Sequence, residues 1–402
     1  MATLGDIFRA EFPGYAAAHR LRPAAHSAAR AIMSCRTAVL GGHAEYCPDE
    51  HYVQSHYNSC KHRACPQCRG LEMERWLRRQ VSRYALACDY HHVVFTMPGE
   101  LLKVWRFNRS LFSNAMFHAA RTALLTLLED PQHLGALPGM VGSLHTWGRS
   151  GIEHIHVHFL VTAGGWTPGG WKGCAARFFV PYDALRRLYR DELLKQLGRS
   201  LARGELVVPA SLERAALVAE LSRLGEIDWH VRVQDRYEGG QGVLTYFSRY
   251  VRGGPISNPQ ILRYEGGEVQ YRYHSHETGQ VRTPTLSAWE LIRRILEHVP
   301  EKGFRVVRYY GLFAQNRRVE LGQCRGWLGM AAYEEPEKLT LEAYLLQVKI
   351  TPVTHCPVCG QRLHRRELQP LRSHSPPRSE VPHASAKLNW CESAGQSSLA
   401  KG

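Results

Sequence analysis

An α+β fold is what this sequence predicts, with a small cysteine-rich block ahead of the main strand-bearing region. Three patterns carry that reading. Runs rich in β-branched residues, such as HHVVFTMP and HIHVHFLVTA, are bounded by Gly, Pro and Ser and read as strands. Longer stretches, among them 182–197 and 212–224, repeat apolar residues at helical spacing. Cys47, Cys60, Cys65 and Cys68 crowd together at spacings that suit a metal rather than disulfides in a reducing compartment.

Taken in order, the first forty residues are Ala- and Arg-rich with helical periodicity and stop at Gly41-Gly42. The cysteine block runs from His43 to Cys68. A helix is expected over residues 71–88, with Leu77, Val81 and Tyr84 on one face and Arg75, Arg78 and Arg79 on the other. HHVVFTMP then opens a set of strands. MVGSLHTWG and HIHVHFLVTA, separated by Arg149-Ser150-Gly151, should form an antiparallel hairpin with histidines on its second strand. The helices at 182–197 and 212–224 follow, then a strand, WHVRVQ, and a turn at Gly239-Gly240. VLTYFSRYVRG reads as helical, and ILRYEGGEVQYRYH as two strands turning at Gly266-Gly267. Ser287 and Glu290 have capping-box spacing ahead of a helix placing Ala288, Ile292, Ile295 and Val299 on one face. Beyond about Pro370 the chain is Ser/Pro/His-rich, has little to bury, and is expected to be disordered.

A hydrophobic content of 44% over 402 residues supports a packed core. No run of eighteen apolar residues suggests a membrane span, and the first residues lack the pattern of a secretory signal, so a cytosolic protein is expected. Lys+Arg of 51 against Asp+Glu of 36 gives a net charge of +15, which attracts polyanions and favours a nucleic-acid partner.

His154-Ile155-His156-Val157-His158 alternates histidine with β-branched residues. On a strand, residues two apart share a face at roughly 6.5–7 Å, so His156 and His158 can converge on one divalent cation while Ile155 and Val157 anchor the strand in the core. The third ligand is open: His154 on the same face, His145 on the neighbouring strand, or an acidic or amide group from a helix. Tyr246 and Tyr250 lie four apart and stack on one face of a helix, about 6 Å apart along its axis. Paired aromatics at that spacing commonly serve packing alone; the histidine strand gives these a chemical meaning. A tyrosine oxygen can attack a DNA phosphodiester while a metal offsets the developing charge, leaving a 5′-phosphotyrosine that a 3′-OH can reverse.

In the cysteine block, Cys65-Pro66-Gln67-Cys68 forms a compact knuckle, with Cys60 upstream and Cys47 further back. Together these four suit a structural Zn²⁺, and His43, His51, His56 or His62 could add to the coordination. Lys61, Arg63 and Arg69 beside the knuckle, and Arg249 between the tyrosines, are candidate DNA contacts. A second pair, Cys356 and Cys359, resembles half a zinc ribbon, with His355 and His364 available to complete it. Cys35, Cys88, Cys174, Cys324 and Cys391 stand alone and read as small buried hydrophobes or unpaired thiols.

These motifs, in this order, resemble a known family. LGGH, YNSCKHRACPQC, HHVVFTMP, SLHTWG, HIHVHFLV, YFSRY followed by ISN, and RYYGLFAQNRR are similar to the two-tyrosine HUH transposases of bacterial rolling-circle insertion sequences, relatives of the Helitrons. The resemblance runs from about Cys35 to Arg318. It implies an HUH endonuclease domain with a central antiparallel sheet flanked by helices, preceded by a small zinc-binding domain. It further implies Mg²⁺ or Mn²⁺ at His156 and His158, nucleophiles at Tyr246 and Tyr250, and single-stranded or hairpin DNA ends as substrate. The corresponding division is a zinc-binding DNA-recognition domain over 1–88, the two-tyrosine nuclease over 89–320, a C-terminal extension with the second CxxC over 321–369, and a tail over 370–402. This chain departs from the family pattern at Glu50, Ala64 and Val251-Arg252-Gly253. Without a GxxxxGK[ST] motif, unwinding is left to host helicase functions. The competing readings are a plasmid replication initiator or relaxase of the same chemistry, and a non-catalytic zinc DNA-binding protein.

Overall fold

A computed structural model describes residues 2–148, 150–174, 180–234, 236–239, 255–275 and 278–371. The expected tyrosine helix, with Tyr246, Arg249 and Tyr250, and the tail beyond residue 371 lie outside these described residues. Helices α1 (Leu4–Ala18) and α2 (Pro23–Ser34) come first, then strands β1 (Gly42–Tyr46) and β2 (Val53–Tyr57), α3 (Gly70–Tyr84) and β3 (Tyr90–Thr96). A short α4 (Leu102–Trp105) leads into α5 (Arg109–Leu128), β4 (Leu137–Trp147), β5 (Glu153–Thr167) and β6 (Gly170–Gly173). Next come α6 (Tyr182–Ala202), α7 (Arg214–Leu224) and β7 (Val231–Val233). The remaining elements are β8 (Ile261–Glu265), β9 (Glu268–Tyr271), β10 (Tyr273–His274), β11 (Val281–Arg282), β12 (Thr285–Ser287), α8 (Ala288–Glu297), β13 (Val307–Gly311), α9 (Arg318–Trp327), α10 (Leu341–Gln347) and β14 (His364–Leu368).

The fold is α+β, and its largest sheet is antiparallel, in the order β13-β4-β5-β3-β7, with β6 also paired to β5. Alternation along β5 decides what each face does. Ile155, Val157, Phe159 and Val161 point to one side, where they bury with Val93 and Phe95 of β3 under α5 and α6. Removing each such side chain from water contributes about 1.5–3 kcal/mol. Phe117 on α5 meets Phe159 edge-on, and Tyr189 on α6 packs against Phe95. On the other face, Leu160 and Val141 bury with Trp76, Leu77 and Tyr84 of α3 and with Leu321 and Cys324 of α9. His156 and His158 share this second face by the same alternation.

A second core joins the beginning of the chain to a later segment. Leu4, Ile7, Phe8 and Phe12 of α1 and Ala28 and Ile32 of α2 bury against Ile256, Val269, Leu291, Ile292 and Ile295. Thr3 and Asp6 cap α1 reciprocally. At α8 only half of the expected box forms: Ser287 Oγ accepts from Glu290 N at 3.2 Å, while the Glu290 carboxylate is taken up by Arg293 and Arg294. The helix expected over 71–88 stops at Tyr84, because the Tyr90 hydroxyl donates to Tyr84 O and accepts from Leu86 N, fixing the turn into β3. Two three-stranded sheets, β12-β9-β8 and β14-β1-β2, and a two-stranded one, β10-β11, complete the sheets of the described residues.

Candidate functional site

Strand register assembles a histidine cluster at the centre of the large sheet. On β5, His156 lies between Thr96 of β3 and His145 of β4, and His158 lies between Val94 and Ser143. The side chains of His145, His156 and His158 are 3%, 8% and 6% exposed, and each offers a ring nitrogen within 4.8 Å of the others. This puts His145 with the two predicted ligands. His154 is exposed and stays outside the trio, contributing its carbonyl instead of its ring.

Hydrogen bonds set the tautomers. His156 Nδ1 donates to His154 O at 2.8 Å, which leaves the lone pair on Nε2. Gln234 Oε1 accepts from both His92 Nδ1, at 2.9 Å, and the Tyr237 hydroxyl, at 2.7 Å. With its proton on Nδ1, His92 accepts at Nε2 from His158 Nδ1 at 2.7 Å. His158 therefore also carries its lone pair on Nε2. Burial, with the neighbouring His145 second, holds His156 and His158 well below the usual imidazole range, so both are neutral at physiological pH. Neutral imidazoles oriented by second hydrogen bonds are the donor set a divalent cation needs, and the trio fits one. Sequence spacing supplied two of these three and left the third open among His154, His145 and a helix side chain; strand register selects His145.

The site borders a cavity of about 420 Å³. Trp147, whose indole stacks on His145 at 5.4 Å, lines it together with Trp76, Trp105, Arg63, Arg109 and Phe304. Arg63, a predicted DNA contact, lies on this rim and donates to Phe304 O at 2.9 Å. Lys61 is exposed on the same loop, whereas Arg69 is half-buried against Cys65 and Cys68, where its charge faces the sulfurs.

The cysteines regroup. Cys60, Cys65 and Cys68 come together as predicted, but their fourth partner is Cys35, not Cys47. Cys35 closes α2, and Gln67 Nε2 donating to Ile32 O ties that helix end to the knuckle, bringing in a thiol that looks isolated in sequence. Cys60 and Cys68 Sγ are 3.7 Å apart, near the edge of about 3.8 Å that Zn–S bonds of about 2.3 Å give a tetrahedron. Hydrogen bonds from the other thiols, Cys35 foremost, hold Cys68 far below the usual thiol range. These four sulfurs fit a structural zinc. Cys47 instead sits at the end of β1 beside His51, Cys356 and Cys359. His355 and His364 do not join that second pair: His364 lies on β14 opposite Tyr46, and His355 bridges to Arg362.

Comparison with known proteins gives the same ordering of parts. Residues 139–320 match a family model described as a putative transposase, and residues 7–97 match one described as a transposase zinc-binding domain. The chain is 35% identical over 370 residues to a putative transposase, y4qJ, of Sinorhizobium fredii, covering 89% of this chain and 93% of that one. It is 32% identical over 295 residues to the transposase for insertion sequence element IS801 of Pseudomonas savastanoi pv. phaseolicola, covering 70% and 68%. No solved structure matches. Among the described residues no helix is long and apolar enough to cross a membrane.

Proposed function

The chain belongs to the IS91-type insertion-sequence transposases represented by these relatives, and we propose that it nicks and rejoins single-stranded DNA through Tyr246 and Tyr250 beside a divalent cation held by His145, His156 and His158. The observation that carries this reading is the buried histidine trio on the adjacent strands β4 and β5, with His156 and His158 fixed in their tautomers, next to the arginine-rimmed cavity that Trp147 lines. In the proposed reaction a phenol oxygen attacks phosphorus in line, the P–O3′ bond breaks, and a 5′-phosphotyrosine forms. The phenol gives up its proton and the departing 3′ oxygen gains one, so the step is balanced and reversible by a 3′-OH. Bound Mg²⁺ or Mn²⁺ would neutralise charge at the scissile phosphate and orient it. Trp147 offers a stacking face, and Arg63 and Arg109 offer charge, suited to an unpaired base and its phosphate. Cys35, Cys60, Cys65 and Cys68 would hold a structural zinc that rigidifies the recognition module. The division into a module over 1–88 and a nuclease over 89–320 is part of the same proposal, as is reliance on host helicases.

The test uses labelled single-stranded oligonucleotides carrying element ends, with Mg²⁺ or Mn²⁺. A protein–DNA adduct resistant to denaturation is expected from the natural chain and is expected to vanish in Tyr246→Phe/Tyr250→Phe. His156→Ala/His158→Ala should lose cleavage and keep salt-sensitive DNA binding. Adducts that persist in the double tyrosine variant would sink the nucleophile assignment.

A further inference from the structure

The β14-β1-β2 sheet has almost no apolar interior. Val53, Gln54, Ser55 and Tyr57 of β2 are exposed, as are His364 to Glu367 of β14. None of the three strands contributes a residue to the apolar clusters that hold the other elements. Sheets this small need a hydrophobic face or a covalent or metal staple. Yet β14 pairs with β1 through five registered residues, Gly42↔Leu368 to Tyr46↔His364.

The staple lies at one end of that pairing. Cys47 ends β1 in a tight turn, with Cys47 N donating to Tyr52 O and Glu50 N to Cys47 O, and the chain returns His51 beside it. Cys356-Pro357-Val358-Cys359-Gly360 forms the matching turn from the other end of the chain. Val358 N points at Cys356 Sγ at 3.4 Å, Gly360 N donates to Cys356 O, and Gly360 takes the positive φ of +73° that closes the knuckle. Gln361 Nε2 donates to Asp49 across the two turns. Cys47 Sγ stands 3.5 Å from Cys359 Sγ and 3.8 Å from His51 Nδ1, and all four donor atoms lie within 4.8 Å of one another. A sulfur pair at that separation is too far for a disulfide and close to the tetrahedral edge around zinc.

We propose that Cys47, His51, Cys356 and Cys359 bind a second zinc ion that clasps the C-terminal extension onto the amino-terminal β-hairpin. Each half contributes two ligands, so neither half can hold the ion tightly alone. Loading is thereby coupled to docking of residues 354–368, and zinc loss frees β14 from β1. His51, four residues after Cys47, supplies the fourth ligand, and Glu50 stays outside the group.

Zinc content of the purified full-length chain, with limited proteolysis, tests this. About two zinc ions per chain are expected, given two four-ligand sites. Cys356→Ser/Cys359→Ser should retain about one and become cleavable within residues 350–371, and adding Cys47→Ser should remove no further zinc. Cys65→Ser/Cys68→Ser should lose the other ion and leave β14 protected. X-ray absorption at the zinc edge of the natural chain, which needs no variant to fold, should show nitrogen mixed into a mainly sulfur shell. An all-sulfur shell, unchanged zinc in the Cys356/Cys359 variant, or a Cys47–Cys359 disulfide in place of metal would overturn the proposal. These readouts involve no DNA, so they stand or fall separately from the cleavage reading.

Discussion

A histidine can serve as a metal ligand only if its proton sits on the nitrogen facing away from the ion, and here that choice is relayed from outside the cluster. Gln234 fixes His92, and His92 fixes His158. Gln234→Ala removes the fixed acceptor, letting His92 adopt the other tautomer and turn a donor toward His158 Nδ1. Affinity for Mn²⁺ measured by titration calorimetry should fall about 10–100-fold, the usual cost of losing such an outer partner. Gln234→Glu, which still accepts, should restore most of it, and equal weakening in both variants would show that Gln234 only packs. A second residue-scale consequence concerns His298. Its Nε2 donates to Gly151 O and its Nδ1 accepts from Thr146, so the neutral ring is satisfied, and burial pushes its pKa down to about 4. The unfolded chain takes up that proton near pH 6.5 while the folded chain does not. Stability is therefore full above pH 6.5 and lost as pH falls toward 4, by about 3 kcal/mol from this group at 1.36 kcal/mol per unit. Urea denaturation at pH 7 and pH 5 should show a smaller acid loss in His298→Gln than in the natural chain.

At the scale of elements, β13 ends against β4 at a position that tolerates no side chain. Gly311 has φ +57°, and a Cβ there would lie 2.0 Å from Pro138 O, a backbone atom that cannot step aside. Gly311→Ala should cost about 2–3 kcal/mol from strain and displacement, seen as a lower urea midpoint at unchanged slope; a loss under about 0.5 kcal/mol would show that the backbone there relaxes freely. The alternation of β5 is local, so the strand, its buried face and the pairing of His156 with His158 are legible from adjacent residues. Hairpin spacing likewise predicts β4 beside β5. What is set by register between strands is only partly legible: His145 is one of several open candidates until it falls opposite His156 on β4. Cys35 and Cys47 exchange places for the same reason. Proximity in sequence groups Cys47 with Cys60, yet β1 carries it away to meet Cys359, 312 residues later. An unmatched half-ribbon at Cys356 was the available hint that another half-site existed elsewhere.

Across the whole molecule, the amino-terminal helices are built into the body that bears the histidines. Phe8 and Ile32 are fully buried against α8, and Arg22 of the α1–α2 turn reaches the carbonyls of Leu296, Glu297 and Val299. The end of α8 in turn leads to His298, which packs on Trp147 beside the trio. A recognition arm that hinged freely would melt by itself; a shared core melts as one. Phe8→Ala removes a fully buried ring and should cost about 3–5 kcal/mol. Hydrogen exchange separates the two cases, since opening energies report on cooperative units. If the core is shared, amides of α8 near Leu291 and Ile295 exchange faster in Phe8→Ala by the same factor as those of α1. Faster exchange confined to α1 and α2, with α8 unchanged, would mean that the amino-terminal segment opens independently. The shared-core outcome also predicts that any ligand that protects the zinc module from exchange slows exchange at His298 and Trp147 as well, because both belong to the same unit.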